Sequence, residues 1–347
     1  MLRYSQIWPR YIECLDFPRD NYNTRKITRH FVVRKLYRSR CFSTCCKRIM
    51  RPQMWYTEHK NPGTFLCNSF DDSSSTNYNI HDLIFPGVLS PTGIDQYPWL
   101  VLLEYAGGIL GCGGSLISSR FILTAAHCVD SINGIPQIAR LAEYNITSYP
   151  IDVVEVEGGG EDQIENIFIP VESVMKHPGF TRRNLQHDIG IVKLSQDAVF
   201  SGNLPSSEFL QISDFVKTVC LPTRDYVLEF TENTNFTVAG WGDDPSKTEF
   251  YDVKKEVDVP YVPMSKCRNT ISTGLIDNQI CAGGEEGKDT CKGDSGGPLL
   301  YLINETTYIA VGVVSFGPKS CGTKGQPAVY THIYKYLDWI AKTMEEL

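Results

Sequence analysis

From about residue 84 to the C-terminus, the chain is a succession of short apolar segments separated by Gly, Asn, Asp and Pro, and this pattern limits the fold more than any other feature. The segments are four to seven residues long, and examples are Trp99–Tyr105, Phe121–Thr124, Ile189–Leu194, Phe236–Ala239 and Ile309–Ser315. Such segments are typical of buried β-strands, and their turn-rich spacing predicts an all-β barrel or sandwich. Only Tyr334–Met344 has helical spacing, with Ile333, Leu337 and Ile340 on one face, and it predicts a C-terminal helix.

The N-terminal part of the chain differs in composition from the rest. Residues 1–60 contain 14 Lys and Arg against 4 Asp and Glu, although the whole chain has a net charge of -7. The basic residues are scattered and follow no nucleic-acid-binding motif, so we expect no nucleic-acid partner. Residues 1–66 are predicted to form an irregular pro-segment, and residues 67–83 a polar linker with the run D-D-S-S-S-T-N-Y-N.

Twelve cysteines suggest disulfides in an oxidising compartment, because none of them lies in a C-x-x-C pair or a zinc-like Cys/His set. Sequons at Asn145, Asn235 and Asn304 are candidate glycosylation sites and agree with secretion. No stretch approaches the roughly 18 apolar residues of a membrane span. The first residues also lack the apolar run of a signal peptide, so we expect that the natural start of the protein lies elsewhere.

Three segments carry chemistry when they are considered together. They are T-A-A-H-C (Thr124–Cys128), H-D-I-G-I-V-K-L (His187–Leu194) and C-K-G-D-S-G-G-P-L (Cys291–Leu299). A serine hydroxyl becomes a nucleophile when a histidine takes its proton and an acid orients that histidine. The G-D-S-G-G run also satisfies the esterase pattern G-x-S-x-G, but α/β-hydrolases order their triad as Ser, acid, His. The order His, Asp, Ser therefore excludes the esterase.

On these segments, residues 84–347 resemble the chymotrypsin/trypsin family of serine endopeptidases. The resemblance implies two six-stranded antiparallel β-barrels with a C-terminal helix and with the catalytic residues in the cleft between the barrels. The implied triad is His127, Asp188 and Ser295. The implied oxyanion hole is formed by the backbone N–H groups of Gly293 and Ser295.

The resemblance also implies a primary pocket that selects Arg or Lys through Asp289, six residues before the serine. Ser315 is implied to support the catalytic Asp, and Phe316 and Gly317 to pair with the substrate backbone as an added strand. Phe316 stands where the family more often has Trp. Ala328 stands where the family usually has Gly, and its methyl group is expected to narrow the pocket.

Activation is the least regular part of the resemblance. The family is made as zymogens, and the new N-terminus is implied to be Ile84, whose ammonium would pair with Asp294. Leu83 precedes it where Arg or Lys is usual, Pro86 replaces a Gly, and no Lys or Arg occurs between Lys60 and Arg120. We expect either an activator that prefers Leu or aromatic residues or a zymogen that activates poorly. The implied disulfides are Cys112–Cys128, Cys267–Cys281, Cys291–Cys321 and Cys67–Cys220, the last of them to the pro-segment.

Within the family, Ala139–Asn145, Val154–Asp162 and Lys176–Phe180 resemble arthropod clip-domain proteases that activate prophenoloxidase or Spätzle-type precursors. Leu36–Cys46 resembles the end of a clip domain, here truncated or degenerate. The resemblance implies an extracellular cascade with a zymogen as protein substrate, an upstream activating protease and a serpin-type inhibitor. Two alternatives stay open: a catalytically silent cofactor or binding protein, and a digestive enzyme.

The loop 155–162 is acidic, with Glu155, Glu157, Glu161 and Asp162. We expect a solvated loop and no cofactor or metal, and Ca²⁺ bound to these carboxylates is the alternative. Val153 and Gln163 stand where similar proteases often have an extra disulfide, so the loop is expected to be looser here.

Overall fold

The computed structural model describes residues 89–155, 160–198, 215–243, 251–271, 274–304 and 306–347. The predicted segments 1–66 and 67–83 lie outside these ranges, as do Ile84 and Cys67. Within them, most regular structure is β-strand. No described helix has the length and apolar character needed to cross a membrane.

The first half of the described chain forms a closed antiparallel barrel. The strands in this half of the chain, inside and outside the barrel, are β1 (Ser90–Pro91), β2 (Leu100–Tyr105), β3 (Ile109–Leu116), β4 (Phe121–Thr124), β5 (Ile138–Leu141), β6 (Ile151–Glu155), β7 (Glu161–Glu165), β8 (Ile167–Lys176) and β9 (Gly190–Leu194). The order β2, β3, β4, β9, β8, β5 closes the barrel, and β6 and β7 form a separate ribbon. Leu100 to Leu103 are all buried, which explains the continuous apolar run in β2.

The second half forms another closed barrel. Its strands are β10 (Asn235–Gly240), β11 (Lys255–Val262), β12 (Gln279–Gly283), β13 (Pro298–Asn304), β14 (Thr307–Phe316) and β15 (Pro327–His332). They pair in the order β11, β10, β13, β14, β15, β12, and β12 pairs back with β11. The short β1 adds to the outside of β11.

These barrels confirm the all-β prediction and decide between barrel and sandwich. Each of the five predicted apolar segments lies in a strand, and the ends differ by two residues at most. One apolar cluster continues from the first barrel into the second, where it includes Leu300, Ala310 and Val313. Because the core is shared and close-packed, the loops at the junction keep fixed relative positions.

The described α-helices are α1 (Ala126–Val129), α2 (Met264–Thr270) and α3 (Leu337–Glu346). The predicted C-terminal helix begins with a 3₁₀ turn, Ile333–Tyr336, and continues as α3. Ile333 and Ile340 are buried, and Leu337 packs against the same core. The apolar face of the predicted helix is therefore packed against the core, as its spacing predicts.

Candidate active site

His127 and Asp188 meet because the strands that precede and follow them are neighbours. His127 lies in α1, directly after β4, and Asp188 lies two residues before β9; Thr124 pairs with Gly190 across these strands. His127 Nδ1 is 2.7 Å from Asp188 Oδ2. The His127 backbone N–H donates to Asp188 Oδ1 over 2.9 Å. One carboxylate therefore fixes both the ring and the main chain of the histidine.

Two hydroxyl groups hold Asp188, which is fully buried. Ser315 Oγ donates to Asp188 Oδ2 over 2.6 Å, and Thr331 Oγ1 donates to the Asp188 carbonyl oxygen over 2.7 Å. The register of β14 against β15 shifts between Val314 and Phe316, and such a bulge re-aims the intervening side chain, here Ser315. The hydrogen bonds from Ser315 and His127 to the carboxylate offset the cost of burying it. The sequence analysis missed Thr331, which no local pattern distinguishes from an ordinary strand threonine.

Ser295 lies in the turn before β13, against the first barrel. The Gly113 backbone N–H donates to the Ser295 carbonyl oxygen over 2.8 Å. Cys128 Sγ lies 3.6 Å from the same oxygen, and Cys128 is the residue after His127. The junction of the barrels therefore brings all three predicted triad residues into one region, where His127 and Ser295 are partly exposed.

Glycines shape the turn around Ser295. Gly293 has φ of 98° and Gly296 has φ of 83°, which L side chains rarely adopt. A Cβ atom on Gly296 would overlap Thr124 Oγ1 and lie 2.5 Å from the Gly113 carbonyl oxygen. In the described part of the chain, neither the Gly293 nor the Ser295 backbone N–H donates a hydrogen bond. This arrangement suits the stabilisation of a developing oxyanion.

Asp289 is buried, with 5% of its surface exposed. Its carboxylate accepts hydrogen bonds from the backbone N–H groups of Thr290 and Gly322, over 2.9 and 3.0 Å. Burial raises the pKa of Asp289 to about 6. No described Lys or Arg forms an ion pair with it. A buried carboxylate without a cation favours a cationic ligand.

The other predicted pocket residues lie at the adjacent ends of β14 and β15. Phe316 is half-buried and Gly317 is exposed. Ala328 is fully buried, and a Cβ atom built on Gly317 would lie 3.3 Å from the Ala328 Cβ. The Ala328 methyl group therefore points toward Gly317. Tyr330 was missed from sequence; burial, together with the charge of nearby Asp289, raises the pKa of this tyrosine above its usual range.

Asp294 lines a cavity of about 130 Å³. Its Oδ1 accepts from the Gly242 N–H and its Oδ2 from the Cys291 N–H, both over 2.9 Å. Burial raises the pKa of Asp294 to about 6. A Cβ atom on Gly240 or Gly242 would overlap the carboxylate, so these glycines make room for it. Leu89, the first described residue, lines the same cavity.

Within the described residues there are three disulfides, and they match three of the four pairs that the resemblance implies. Cys112–Cys128 joins β3 to α1, Cys267–Cys281 joins α2 to β12, and Cys291–Cys321 joins the Ser295 turn to the loop before β15. Within the described residues Cys220 is buried and unpaired, and its implied partner lies outside them.

The three sequons lie at or near the surface. Asn235 and Asn304 are exposed and Asn145 is partly exposed. Thr147 donates to the Asn145 side-chain oxygen over 2.8 Å, and Thr306 donates to that of Asn304 over 3.3 Å. Solvent can therefore reach each asparagine.

The described residues of the acidic loop lie at the adjacent ends of β6 and β7. Glu155, Glu161 and Asp162 are exposed, Glu157 lies outside the described residues, and Val153 pairs directly with Gln163. Among the described residues, no three carboxylates of this loop approach closely enough to share a metal ion.

Comparisons with known proteins agree with this geometry. The family model described as Trypsin matches residues 89–340. The chain is 40% identical to a phenoloxidase-activating enzyme of Bombyx mori, over 74% of this chain and 60% of that protein. It is 38% identical to the CLIP domain-containing serine protease HP8 of Bombyx mori, over 77% and 70% of the two chains. It is also 37% identical to melanization protease 1 of Drosophila melanogaster, over 71% and 62%. The chain thus spans less than two thirds of the length of the first and third of these relatives.

Proposed function

The chain belongs to the trypsin family, and on this premise we propose that it is a serine endopeptidase with His127, Asp188 and Ser295 as its triad. The observation that carries the proposal is the pair of contacts between His127 and the fully buried Asp188, over 2.7 and 2.9 Å. A histidine held by a buried carboxylate beside a partly exposed serine turn is the arrangement that general-base activation of a serine requires.

In the proposed mechanism, His127 Nε2 takes the proton of Ser295 Oγ as this oxygen attacks the scissile carbonyl carbon. Asp188 holds the imidazole and stabilises the imidazolium. The N–H groups of Gly293 and Ser295 bind the oxyanion, and His127 then protonates the leaving amine. Water, activated by the same histidine, releases the acyl group from Ser295.

We propose cleavage after Arg or Lys. Asp289 supports this, because its buried carboxylate has two N–H donors and no described cation. The Ala328 methyl group points toward Gly317, and we propose that it narrows the pocket relative to a glycine. β14 ends at Phe316, and Phe316 with the following Gly317 is the proposed edge along which the substrate main chain pairs.

We also propose that the protein is made as a zymogen. Asp294 lines a cavity that Asp289 and Leu89 also line, and its carboxylate forms no ion pair with a described Lys or Arg. An ammonium from a new terminus at Ile84 would supply the missing charge. N-terminal sequencing of the active form tests this; a start at another residue would contradict it.

The similarity to a phenoloxidase-activating enzyme and to melanization protease 1 supports a place in an extracellular immune cascade. There the protein substrate would be another zymogen, an upstream protease would activate this chain, and a serpin-type inhibitor would stop it. The three disulfides and the three accessible sequons agree with secretion.

Active-site labelling tests the activity directly. A fluorophosphonate is expected to label Ser295 after exposure to candidate activators, the Ser295→Ala variant to remain unlabelled, and the exposed control Ser320→Ala to label normally. Small substrates with Arg and Lys are expected to be cleaved, and activity on Phe alone would refute the pocket assignment. Absence of labelling under every condition would favour the catalytically silent alternative.

A further inference from the structure

The residue before the proposed catalytic aspartate has an unusual backbone conformation. His187 has φ of 54°, in the left-handed region that residues with a side chain rarely adopt. The Ile189 backbone N–H donates to the His187 carbonyl oxygen over 2.9 Å, which closes a three-residue turn around Asp188. Such a conformation is unfavourable and persists only where its surroundings hold it. The contacts of His187 therefore bear on the direction in which Asp188 points.

The C-terminal part of the chain holds the His187 side chain. Its Nδ1 atom lies 2.9 Å from the Tyr336 hydroxyl oxygen. Burial raises the pKa of Tyr336 to about 12, so the phenol keeps its proton and is a donor for Nδ1. Tyr336 ends the 3₁₀ turn that follows β15, and Thr331 of β15 donates to the Asp188 carbonyl oxygen. One stretch of chain thus holds both Asp188 and the residue before it.

A second histidine packs on the ring of His187. The His177 ring lies nearly parallel to it, with the centroids 5.0 Å apart and 16° between the planes. Tyr336 and Trp339 meet the His177 ring edge-on, with centroids 5.2 and 5.1 Å away. A Cβ atom on Gly179 would lie 3.1 Å from His187 Cδ2, so the loop backbone also closes over the ring. The His187 ring therefore has little freedom to rotate.

The direction of Asp188 matters because this residue sets the orientation of the proposed general base. His127 Nδ1 lies 2.7 Å from Asp188 Oδ2. A displacement of about 1 Å at a reacting group can cost 10²-fold in rate. His187 can act on this geometry through the backbone that it shares with Asp188.

We propose that His187 is a positioning residue for Asp188. The Tyr336 hydroxyl group and the stacked His177 ring hold its side chain, and the held side chain keeps the backbone at residue 187 in the left-handed conformation. The inference rests on the proposed peptidase function, because Asp188 matters to catalysis only as a member of the triad.

A set of substitutions tests the contact between His187 and Tyr336. Asparagine tolerates positive φ, and its Oδ1 is as many bonds from Cα as histidine Nδ1, so His187→Asn should keep the contact. The disrupting variants are His187→Gln, whose amide lies one bond further out, His187→Ala and Tyr336→Phe. Tyr334→Phe is the matched control, because it removes from the same 3₁₀ turn a hydroxyl that forms no hydrogen bond within the described residues.

The first readout needs no activity. The proton on His127 Nδ1 lies in a short hydrogen bond to Asp188 and is expected far downfield in the proton NMR spectrum of the full chain with Ser295→Ala. Its loss in His127→Ala identifies it. We expect this resonance to move upfield in the disrupting variants and to stay in place in the asparagine variant and the control.

Kinetics supply the second readout. In the activated enzyme, the disrupting variants should lower kcat for a small Arg amide about tenfold. KM should stay nearly unchanged, because the pocket at Asp289 is untouched and the loss concerns the transition state. The asparagine variant and the control should match the wild type. If His187→Ala does not fold, Tyr336→Phe decides, since it removes a single oxygen atom.

Two results would overturn the positioning role. One is an asparagine variant as slow as His187→Ala, and the other is a wild-type kcat and resonance in Tyr336→Phe. A protein that never labels with fluorophosphonate, but whose resonance responds to the disrupting variants, would instead overturn the peptidase proposal and support the positioning of Asp188. The two failures are therefore distinguishable.

Discussion

Asp289 and Asp294 are two aspartates whose carboxylates have similar surroundings. Each accepts two backbone N–H hydrogen bonds, and burial raises the pKa of each to about 6. Neither has a described cationic partner, so the folded protein holds each carboxylate at a cost. We propose that a positive charge from outside completes each site. The cation differs: a substrate side chain is proposed for Asp289, and a new N-terminus for Asp294.

The pH dependence of cation binding follows from Asp289. Because its pKa is raised to about 6, the carboxyl group gains a proton as the pH falls through 6 and loses its attraction for a cation. We expect the affinity for benzamidine to fall about tenfold per pH unit below that value. Calorimetry of the Ser295→Ala protein measures this. The same protein with Asp289→Asn should bind benzamidine weakly at every pH. If the protein with Asp289 intact binds benzamidine with constant affinity from pH 7 to 5, the assignment is contradicted.

At the scale of secondary-structure elements, a β-bulge orients Ser315 and a glycine-rich turn positions Ser295. The register shift in β14 turns Ser315 toward Asp188, and the turn after Cys291 is seated on β3 and β14 through Gly113 and Gly296. The Gly296 N–H donates to the Val314 carbonyl oxygen over 2.9 Å. The turn therefore depends on close backbone approach rather than on side-chain packing.

Gly296→Ala and Gly325→Ala separate this close approach from backbone conformation. Both glycines have positive φ, 83° and 77°, but a Cβ atom meets Thr124 and Gly113 at position 296 and nothing within 4 Å at position 325. Each change costs roughly 1–2 kcal/mol for the left-handed conformation. Only Gly296→Ala should also displace Ser295 and slow fluorophosphonate labelling by about 100-fold. Equal labelling rates in the two variants would show that the turn tolerates the displacement.

For the molecule as a whole, a buried polar cluster joins the two barrels. Lys254, beside β11, is 3% exposed and donates to the Gln96 carbonyl oxygen over 2.5 Å. Glu143, just after β5 of the first barrel, and Asp152 of the β6–β7 ribbon are among the charges that act on it. Burial, with the Asp152 charge, raises the pKa of Glu143 to about 8, and its Oε2 lies 3.6 Å from Arg140 Nη1. The barrels therefore share buried charge as well as a core.

The stability of the protein should depend on pH through Glu143. A carboxyl with a higher pKa in the folded than in the unfolded state binds its proton preferentially in the folded state. The free energy of unfolding should therefore decrease as pH rises from 4.5 to about 8. Above pH 6, where Asp289 and Asp294 have largely ionised, Glu143→Gln should flatten this decrease. Denaturant unfolding at pH 6, 7 and 8 measures it, with the exposed Glu286→Gln as control; parallel curves would refute the role of Glu143.

The sequence by itself determined the strand segments, the C-terminal helix and the order of the chemistry-bearing residues. These properties are local, because apolar runs indicate which segments are buried. Glycines likewise indicate turns that need positive φ, as at Gly293 and Gly296. The resemblance to the trypsin family also implied two barrels, which the structure confirms. It implied the residue roles as well, which are proposals that the geometry supports.

Only the tertiary structure decided which distant groups meet. Thr331 lies 143 residues from Asp188, and Lys254 lies 158 residues from Gln96, yet each pair is hydrogen-bonded. The contact between Tyr336 and His187, which lie 149 residues apart, was equally hidden. Contacts of this kind depend on strand register and barrel closure, and no local pattern records what will lie across a sheet. The sequence identifies the reactive residues, and the packing of the two barrels determines which residues they contact.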